Sequence, residues 1–376
     1  MRQEWLDRPE GGTTFGYKLI SSFALACGRK AARIVLYPIT AYFLIRRGPE
    51  RRASREYLRQ ITGRAASLWA VAKHIHCFAA VTLDRAYLLS ESFRRFDVRT
   101  FGLEQLRQAW GQGRGVLLLG SHLGSFDALR VLADFRSDIT LRVVIDVEQN
   151  RRLSQLLNAL NPQLAKSIIN ARQEGTTTAL AIKEALDEKA LVTLLADRAR
   201  PGNQVMTADF LGRSAPFPTA PWQLAAALKV PVVLCFGLYR GGNRYDLHFE
   251  TFAEQLKLER GQRAAELQQT IQRFADRVAH HARIAPYNWF NFYDFWRADD
   301  SQSAPASAAD AAARDSGRSA RREVAGHAAR GPCASGKSGH DGGFPRASGA
   351  LPHGAVAPGS GFEGAGGAVL RPVSRR

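Results

Sequence analysis

Short apolar runs alternate along the chain with longer amphipathic stretches, and this alternation predicts the secondary structure. The apolar runs predict strands at Val116–Leu119, 140–146, 167–172, Leu191–Ala196, the segment that opens at Pro231, and Tyr245–Phe249. Helical patterns lie between them, at 150–165, 175–189, Trp222–Leu228 and 254–284, and residues 50–110 also have a helical pattern. Strands that alternate with helices predict an α/β fold, with a mixed, mostly parallel central sheet flanked by helices.

The N-terminal segment, residues 1–48, contains two apolar runs, at 15–27 and 34–45, on either side of a basic stretch at 28–33. Neither run reaches the roughly 20 apolar residues that span a bilayer as a helix. Because the stretch between the runs is basic, we predict a membrane-associated helical segment on the surface of an anionic leaflet. A buried helical hairpin at the edge of a domain is the alternative. Pro38 is expected to kink or break the second run.

The composition of the chain changes at about Asp299. Residues 299–376 contain 14 of the 33 glycines and no periodic apolar pattern. Such a segment buries too little apolar surface to offset its ordering entropy, which predicts a disordered low-complexity tail. A frame-shifted end of a GC-rich gene would have a similar composition. The remaining residues, 49–298, suit one α/β domain.

Charge and cysteine usage exclude several classes of function. The net charge is +18, of which the tail contributes about +3. A basic domain binds nucleic acid, an anionic membrane or anionic substrates. The sequence has no zinc-finger spacing and no aromatic RNA-binding motif, and its basic residues cluster near the N-terminal apolar runs, which favours the membrane. The four cysteines, Cys27, Cys77, Cys235 and Cys333, are far apart, which indicates free thiols in a reducing compartment and no metal site.

A histidine and a carboxylate follow the strand at Val116–Leu119. The strand ends in Gly-Ser, His122 comes next, and Asp127 follows five residues later in a predicted helix. Catalytic groups of open α/β sheets lie at this place, outside the carboxyl ends of the strands. With His122 in the turn, Asp127 can accept a hydrogen bond from one ring nitrogen and leave the other nitrogen basic, ready to take a proton from a hydroxyl or amine. A histidine with a purely structural hydrogen bond is the alternative.

Charged residues also follow other predicted strands. Asp197 and Arg198 come directly after Leu191–Ala196, and Asp197 is expected to hold an arginine or to orient an acceptor. Arginine suits bidentate contacts with phosphate. The predicted substrate-binding set is therefore Arg172 at a helix entrance, Asp197, Arg198, and Gly212 with Arg213 in the loop before the next helix. Structural salt bridges are the alternative for each charged member.

A strand followed by Gly-Ser-His-x4-Asp and a helix resembles the first motif of the lysophospholipid acyltransferase superfamily. The aspartate after the 191–196 strand, the F-L-G-x-x-A-x-F-P stretch and the helix leading into V-P-V-V are similar to later motifs of its bacterial branch, the late lipid A lauroyl/myristoyl acyltransferases. The likeness covers most of residues 1–298. That branch usually has Glu at the position of Asp127 and Gly at the position of Ala220.

The resemblance implies a glycerolipid acyltransferase-like fold with an N-terminal hydrophobic anchor and an arginine at the position of Arg172. It also implies an aromatic ending, which the segment 286–296 supplies. We expect that segment to cap the core with a wet rim; an anchor at the membrane interface is the alternative.

The function that the resemblance implies is acyl transfer. His122, poised by Asp127, deprotonates a hydroxyl or amine, which then attacks the thioester of an acyl carrier protein or of coenzyme A. No cofactor or metal is required. The expected partners are the acyl donor, a membrane lipid acceptor and an anionic membrane surface, with no nucleic acid, and the expected location is the cytoplasmic face of the bacterial inner membrane. The acceptor stays open among lipid A, aryl-polyene pigments and amino-acid lipids.

Two other functions are weighed against acyl transfer. A non-catalytic membrane- or lipid-binding protein of the same fold would not need the His122–Asp127 pair. A hydrolase of membrane esters would need an activated serine or a metal cluster, and the sequence has neither a G-x-S-x-G elbow nor a histidine-rich metal pattern.

Overall fold

The structure is a computed structural model. It describes residues 14–89, 94–129, 140–147, 167–171, 175–199 and 202–296, with side chains from residue 28 onward. The helix predicted at 150–165, Arg172 and the predicted tail at 299–376 lie outside these residues.

Three helices form the N-terminal part: α1 (Thr14–Arg46), α2 (Gly48–Thr62) and α3 (Leu68–Leu88). The helical backbone of α1 is interrupted at Gly28, with φ of 82° and ψ of 162°. The prediction of a break at Pro38 is wrong, because the backbone stays helical there and the interruption occurs where glycine adopts a positive φ at little cost. Among the described residues, no helix is long and apolar enough to span a bilayer.

The remaining elements follow in an α/β order. The strands are β1 (Asp97–Phe101), β2 (Val116–Gly120), β3 (Leu141–Ile145), β4 (Ile168–Asn170), β5 (Leu191–Leu195), β6 (Val205–Phe210), β7 (Arg213–Pro218), β8 (Val232–Gly241) and β9 (Arg244–Ala253). The helices are α4 (Leu103–Gly111), α5 (Gly175–Asp187), α6 (Ala220–Leu228) and α7 (Arg263–Ile284), with a short 3-10 helix at Phe126–Leu129. The prediction of helix throughout 50–110 is wrong at residues 97–101, which form strand β1.

Seven strands form the central sheet in the order β1-β9-β8-β2-β5-β3-β4. Every neighbouring pair is parallel except β8 and β9, which are antiparallel. This confirms the predicted mixed, mostly parallel sheet. All five residues of β2 are buried, as expected for a central strand covered on both faces. Because β2 and β5 are parallel neighbours, with Gly120 opposite Leu195, their carboxyl ends lie side by side.

A separate hairpin, β6 and β7, occupies the stretch that the sequence predicted as a loop. Leu211 and Gly212 connect the strands, and both have positive φ, at 57° and 83°. Two such residues match the turn that suits the right-handed twist of a hairpin. Gln60 of α2 donates a hydrogen bond to the Leu211 carbonyl at 2.7 Å, which ties the hairpin to the helical part.

The aromatic segment 286–296 packs into the core, as predicted. Trp289 is 1 % exposed, and its ring lies 4.9 Å from Tyr57 and 5.0 Å from Phe210, measured between ring centroids. The Trp296 indole donates a hydrogen bond to the Phe210 carbonyl at 3.1 Å. The segment therefore joins α2, the hairpin and the core, and it ends next to the candidate site.

Candidate functional site

His122 lies two residues beyond the end of β2, in a loop that is held by backbone contacts on both sides. Its carbonyl accepts a hydrogen bond from the Phe290 N–H at 2.9 Å. Two residues later, Gly124 donates to the Asn288 carbonyl at 2.8 Å and pairs with Gly237 of β8. Gly124 has φ of +72°, and a Cβ built there would lie 1.9 Å from the Gly237 carbonyl oxygen. Only glycine permits this approach, so the loop depends on it.

The His122 ring is held by Asp197, which follows β5. Nδ1 of His122 lies 2.8 Å from Oδ1 of Asp197, and the His122 backbone N–H donates to Oδ2 at 2.9 Å. The Asp197 side chain is 1 % exposed, whereas that of His122 is 32 % exposed. A carboxylate that accepts from Nδ1–H fixes the tautomer, so Nε2 carries the lone pair. Nε2 makes no hydrogen bond with any described residue and is the basic atom of the site.

The electrostatics keep His122 neutral and Asp197 ionised. Burial lowers the pKa of His122 below its ordinary value, and the charge of Arg198 lowers it further, against the attraction of Asp197. Burial by itself raises the pKa of Asp197, but its electrostatic interaction with the His122 ring, the hydrogen bonds from His122 and the charge of Arg198 outweigh burial and leave that pKa below its ordinary value. A neutral imidazole beside an ionised carboxylate is the resting state of a general base.

The hydrogen bond predicted between Asp127 and His122 is wrong: Asp127 accepts instead from Nε of Arg85, at 2.7 Å. Asp127 lies in the 3-10 helix, and Arg85 reaches it from the last turn of α3. Arg85 is also close enough to His122 to lower the pKa of its ring. The two carboxylates therefore have different partners. Asp197 accepts hydrogen bonds from His122, and Asp127 accepts one from Arg85, which lies near the histidine.

Arg198 lies at the same end of the sheet, beside the His122–Asp197 pair. Its Nη2 donates to the Phe290 carbonyl at 2.6 Å, and its guanidinium lies 5.5 Å from the centroid of the Tyr293 ring. Its Nε is buried and makes no hydrogen bond within the described part of the chain. A buried cationic donor with hydrogen-bonding capacity left over suits an anionic group of a substrate.

The other predicted substrate-binding residues have different surroundings. Arg213 pairs with Glu56 of α2 at 2.6 Å and lies 5.4 Å from the ring centroid of Trp296. Gly212 forms the hairpin turn, and its N–H donates to Asp209 at 3.2 Å. These contacts stabilise the hairpin. The structure therefore joins His122, Asp197 and Arg198 in one site, and Arg172 lies outside the described residues.

Sequence analysis missed Arg85 and the role of Asp197 as partner of the histidine. Arg85 lies within a long helical pattern and carries no local signal. Asp197 did carry one, because it directly follows a buried strand, as the Gly-Ser-His motif does. Within the described residues, no group of three or more His, Cys, Asp or Glu side chains is arranged to hold a metal ion.

The sequence of the chain also matches a known protein family. Residues 77–298 match the family described as bacterial lipid A biosynthesis acyltransferase. The matched range contains His122, Asp127, Asp197, Arg198 and Arg85. No curated protein sequence gives a significant match. Because the family match covers more than half of the 376 residues, the chain belongs to the bacterial lipid A biosynthesis acyltransferase family.

Proposed function

We propose that the chain transfers a fatty acyl group from an acyl thioester to a hydroxyl or amine of a membrane lipid, with His122 as the general base. Membership of a lipid acyltransferase family supports acyl transfer to a lipid. The observation that carries the proposed mechanism is the 2.8 Å hydrogen bond between Nδ1 of His122 and the buried Asp197. It leaves Nε2 as a basic atom at the carboxyl end of the central strands.

In the proposed reaction, Nε2 of His122 takes the proton as the acceptor oxygen or nitrogen attacks the thioester carbonyl carbon. The new bond gives a tetrahedral oxyanion and an imidazolium, which the adjacent Asp197 stabilises. The oxyanion then collapses, the carbon–sulfur bond breaks, and the thiolate takes the proton from the imidazolium. The products are an ester or amide and a free thiol, so the protons balance without a metal or a covalent acyl-enzyme.

The arginines are proposed as contacts for the anionic groups of the substrates. Arg198 has an unused buried donor at the site, and Arg85 is positioned there by Asp127. Arg172, which precedes α5, remains a candidate for a phosphate. For Gly212 and Arg213 the contacts with Asp209 and Glu56 favour a structural role over the predicted binding role.

The proposed donor is acyl carrier protein, with coenzyme A thioester as the alternative. The basic chain, at +18, complements an acidic carrier. The proposed acceptor is a lipid in an anionic membrane, and the proposed location is the cytoplasmic face of the bacterial inner membrane.

The experiment that tests the proposal uses the purified chain in detergent with labelled acyl-carrier-protein or coenzyme A thioesters and total bacterial membrane lipid. Wild type is expected to give a new acylated lipid, whose mass identifies the acceptor. His122→Ala is expected to reduce the rate by about 10²- to 10⁴-fold. If wild type gives no product with either donor, or if His122→Ala keeps the full rate, the proposed mechanism is wrong.

A further inference from the structure

An open groove lies between the base of the β6–β7 hairpin and the start of α7. Its volume is about 710 Å³, which is in the range of small-ligand sites. Two hydrogen bonds hold the hairpin on α7. Gln268 donates to the Thr207 carbonyl at 2.8 Å, and Gln272 accepts from the Asp209 N–H at 2.8 Å. The walls of the groove are therefore fixed to each other by the fold.

Two arginines with unused hydrogen-bonding capacity line the groove. Arg260 precedes α7 and Arg263 is its first residue, and neither forms an ion pair or a hydrogen bond with any described residue. The described residues of the lining include no Asp or Glu. The nearest acids along the chain, Glu259 and Glu266, lie outside it, and the Glu266 carboxylate accepts from the Glu259 N–H at 2.6 Å. The lining is therefore positively charged.

Two helix N-termini add to this positive charge. The lining includes residues from the starts of α6 and α7, which are Thr219, Gln223, Gly261 and Ala264. Neither Thr219 nor Gln262, the residues that precede the two helices, makes a capping hydrogen bond with its side chain. The N-terminal end of a helix carries a partial positive charge and unsatisfied N–H groups. It repels an arginine, so two arginines placed there without acids favour a bound anion.

The lining also indicates the chemical class of the ligand. Guanidinium groups form paired hydrogen bonds with phosphate oxygens, and helix N-termini bind the same group. The groove is larger than a phosphate alone requires, and the rest of its lining is amide and apolar, with Asn203, Gln204, Gln223, Met206 and Leu267. A phosphate ester attached to a chain with polar and apolar parts matches these side chains.

We propose that this groove, the phosphate groove, binds the phosphate ester of one of the two substrates. The phosphate is that of the phosphopantetheine arm of the acyl donor or that of a phosphorylated acceptor lipid. Gly202, which lines the groove, follows Arg198 of the candidate site by only four positions in the chain. The inference rests on the proposed function for the identity of the substrates, whereas phosphate binding itself can be measured without acyl transfer.

Calorimetric titration of the full-length chain with pyrophosphate tests the groove directly. Wild type is expected to bind, and Arg263→Gln is expected to bind about tenfold more weakly, because it loses a charge-assisted contact. Arg283→Gln is the matched control, since it removes the same charge from the exposed last turn of the same helix. It should bind like wild type. No binding by wild type, or equal binding by the two variants, would overturn the inference.

Steady-state acyl transfer by the same variants identifies the source of the phosphate. If the donor supplies it, Arg263→Gln should raise the KM for the acyl thioester about tenfold and leave kcat and the KM for the lipid unchanged. If the acceptor supplies it, the KM for the lipid should rise instead. An unchanged KM for both substrates would overturn the assignment to a substrate. Wild type that binds pyrophosphate but transfers no acyl group would retain the groove and contradict the proposed function, so the two proposals fail separately.

Discussion

At the scale of single residues, Asp197 accepts from His122 twice, from the backbone N–H at 2.9 Å and from Nδ1 at 2.8 Å. An asparagine has one carbonyl oxygen, so Asp197→Asn cannot accept both hydrogen bonds and no longer fixes the tautomer. We expect this substitution to lower kcat for acyl transfer by about 10²- to 10⁴-fold, as orienting carboxylates of catalytic histidines do. Steady-state kinetics with the acyl thioester, on protein whose folding circular dichroism has verified, measures the loss.

Asp127→Asn is the matched control, because it leaves both hydrogen bonds of Asp197 intact. It removes the charge that holds Nε of Arg85 at 2.7 Å, so its effect acts through that arginine. We therefore expect a smaller loss of kcat than for Asp197→Asn. The reverse order, with Asp127→Asn as inactive as His122→Ala and Asp197→Asn nearly active, would assign the histidine to Asp127 during the reaction.

The pH dependence of the reaction follows from the same group of charges. His122 accepts a proton only when its ring is neutral, and burial and Arg198 lower its pKa. Activity is therefore expected to fall as the pH drops through the pKa of His122, which lies below the ordinary pKa of histidine. Arg198→Gln removes a positive charge, which raises the pKa of His122, so the acid limb of kcat/KM should move to higher pH.

Arg99→Gln serves as the control for this shift. Arg99 lies on the outer strand β1, its side chain is 62 % exposed, and it is not among the residues that shift the pKa of His122. Its profile should match that of wild type. An acid limb that stays in place in Arg198→Gln would show that another group controls this side of the profile.

The candidate catalytic histidine was predictable from sequence, but its partner was not. His122 follows an apolar strand and a Gly-Ser turn, and both signals are local. Asp197 lies 75 residues away in the chain and meets His122 only because β5 is the sheet neighbour of β2. Strand order depends on how all the strands pack, so a sequence pattern points first to the nearest acid, here Asp127.

At the scale of elements, the loop that carries His122 crosses β8 at a backbone contact. Gly124 has a positive φ of 72° and faces the Gly237 carbonyl, whereas Gly113 has a similar φ of 79° in open space. In both Gly→Ala variants the positive φ lowers the unfolding free energy by about 1 kcal/mol. Only Gly124→Ala also meets a backbone atom, so we expect it to lose several kcal/mol of unfolding free energy and most of its activity.

Denaturant unfolding and acyl-transfer rates of the two variants separate these effects. Gly113→Ala should keep the wild-type rate with a modest loss of stability. If the two variants lost equal stability, the close approach between Gly124 and β8 would not constrain the loop.

Elements with a clear apolar period were predictable, and those set by special backbone positions were not. Strands β2, β3 and β5 and helix α5 follow their apolar patterns closely. Strand β1 was missed because its exposure alternates and its sheet partner among the described residues is β9, from the far end of the chain. The hairpin was missed because its turn places Leu211 at a positive φ, where Asn or Gly is expected.

At the scale of the whole molecule, the sequence places a boundary near residue 298, where the family match also ends. Just before it, the aromatic segment supports the site. The Trp289 carbonyl lies 3.0 Å from Nε2 of His74, the Phe290 N–H donates to the His122 carbonyl, and the Phe290 carbonyl accepts from Nη2 of Arg198. We expect a chain cut after Ala298 to keep the melting temperature and transfer rate of wild type, because the residues removed have no apolar pattern with which to join a core.

A chain cut after Ala285 should fail to fold, because it loses Trp289 and its buried contacts. Thermal unfolding and acyl transfer measured on both truncations test the boundary. A fall of several degrees in melting temperature, or a lost activity, in the longer chain would assign residues 299–376 a part in the folded enzyme.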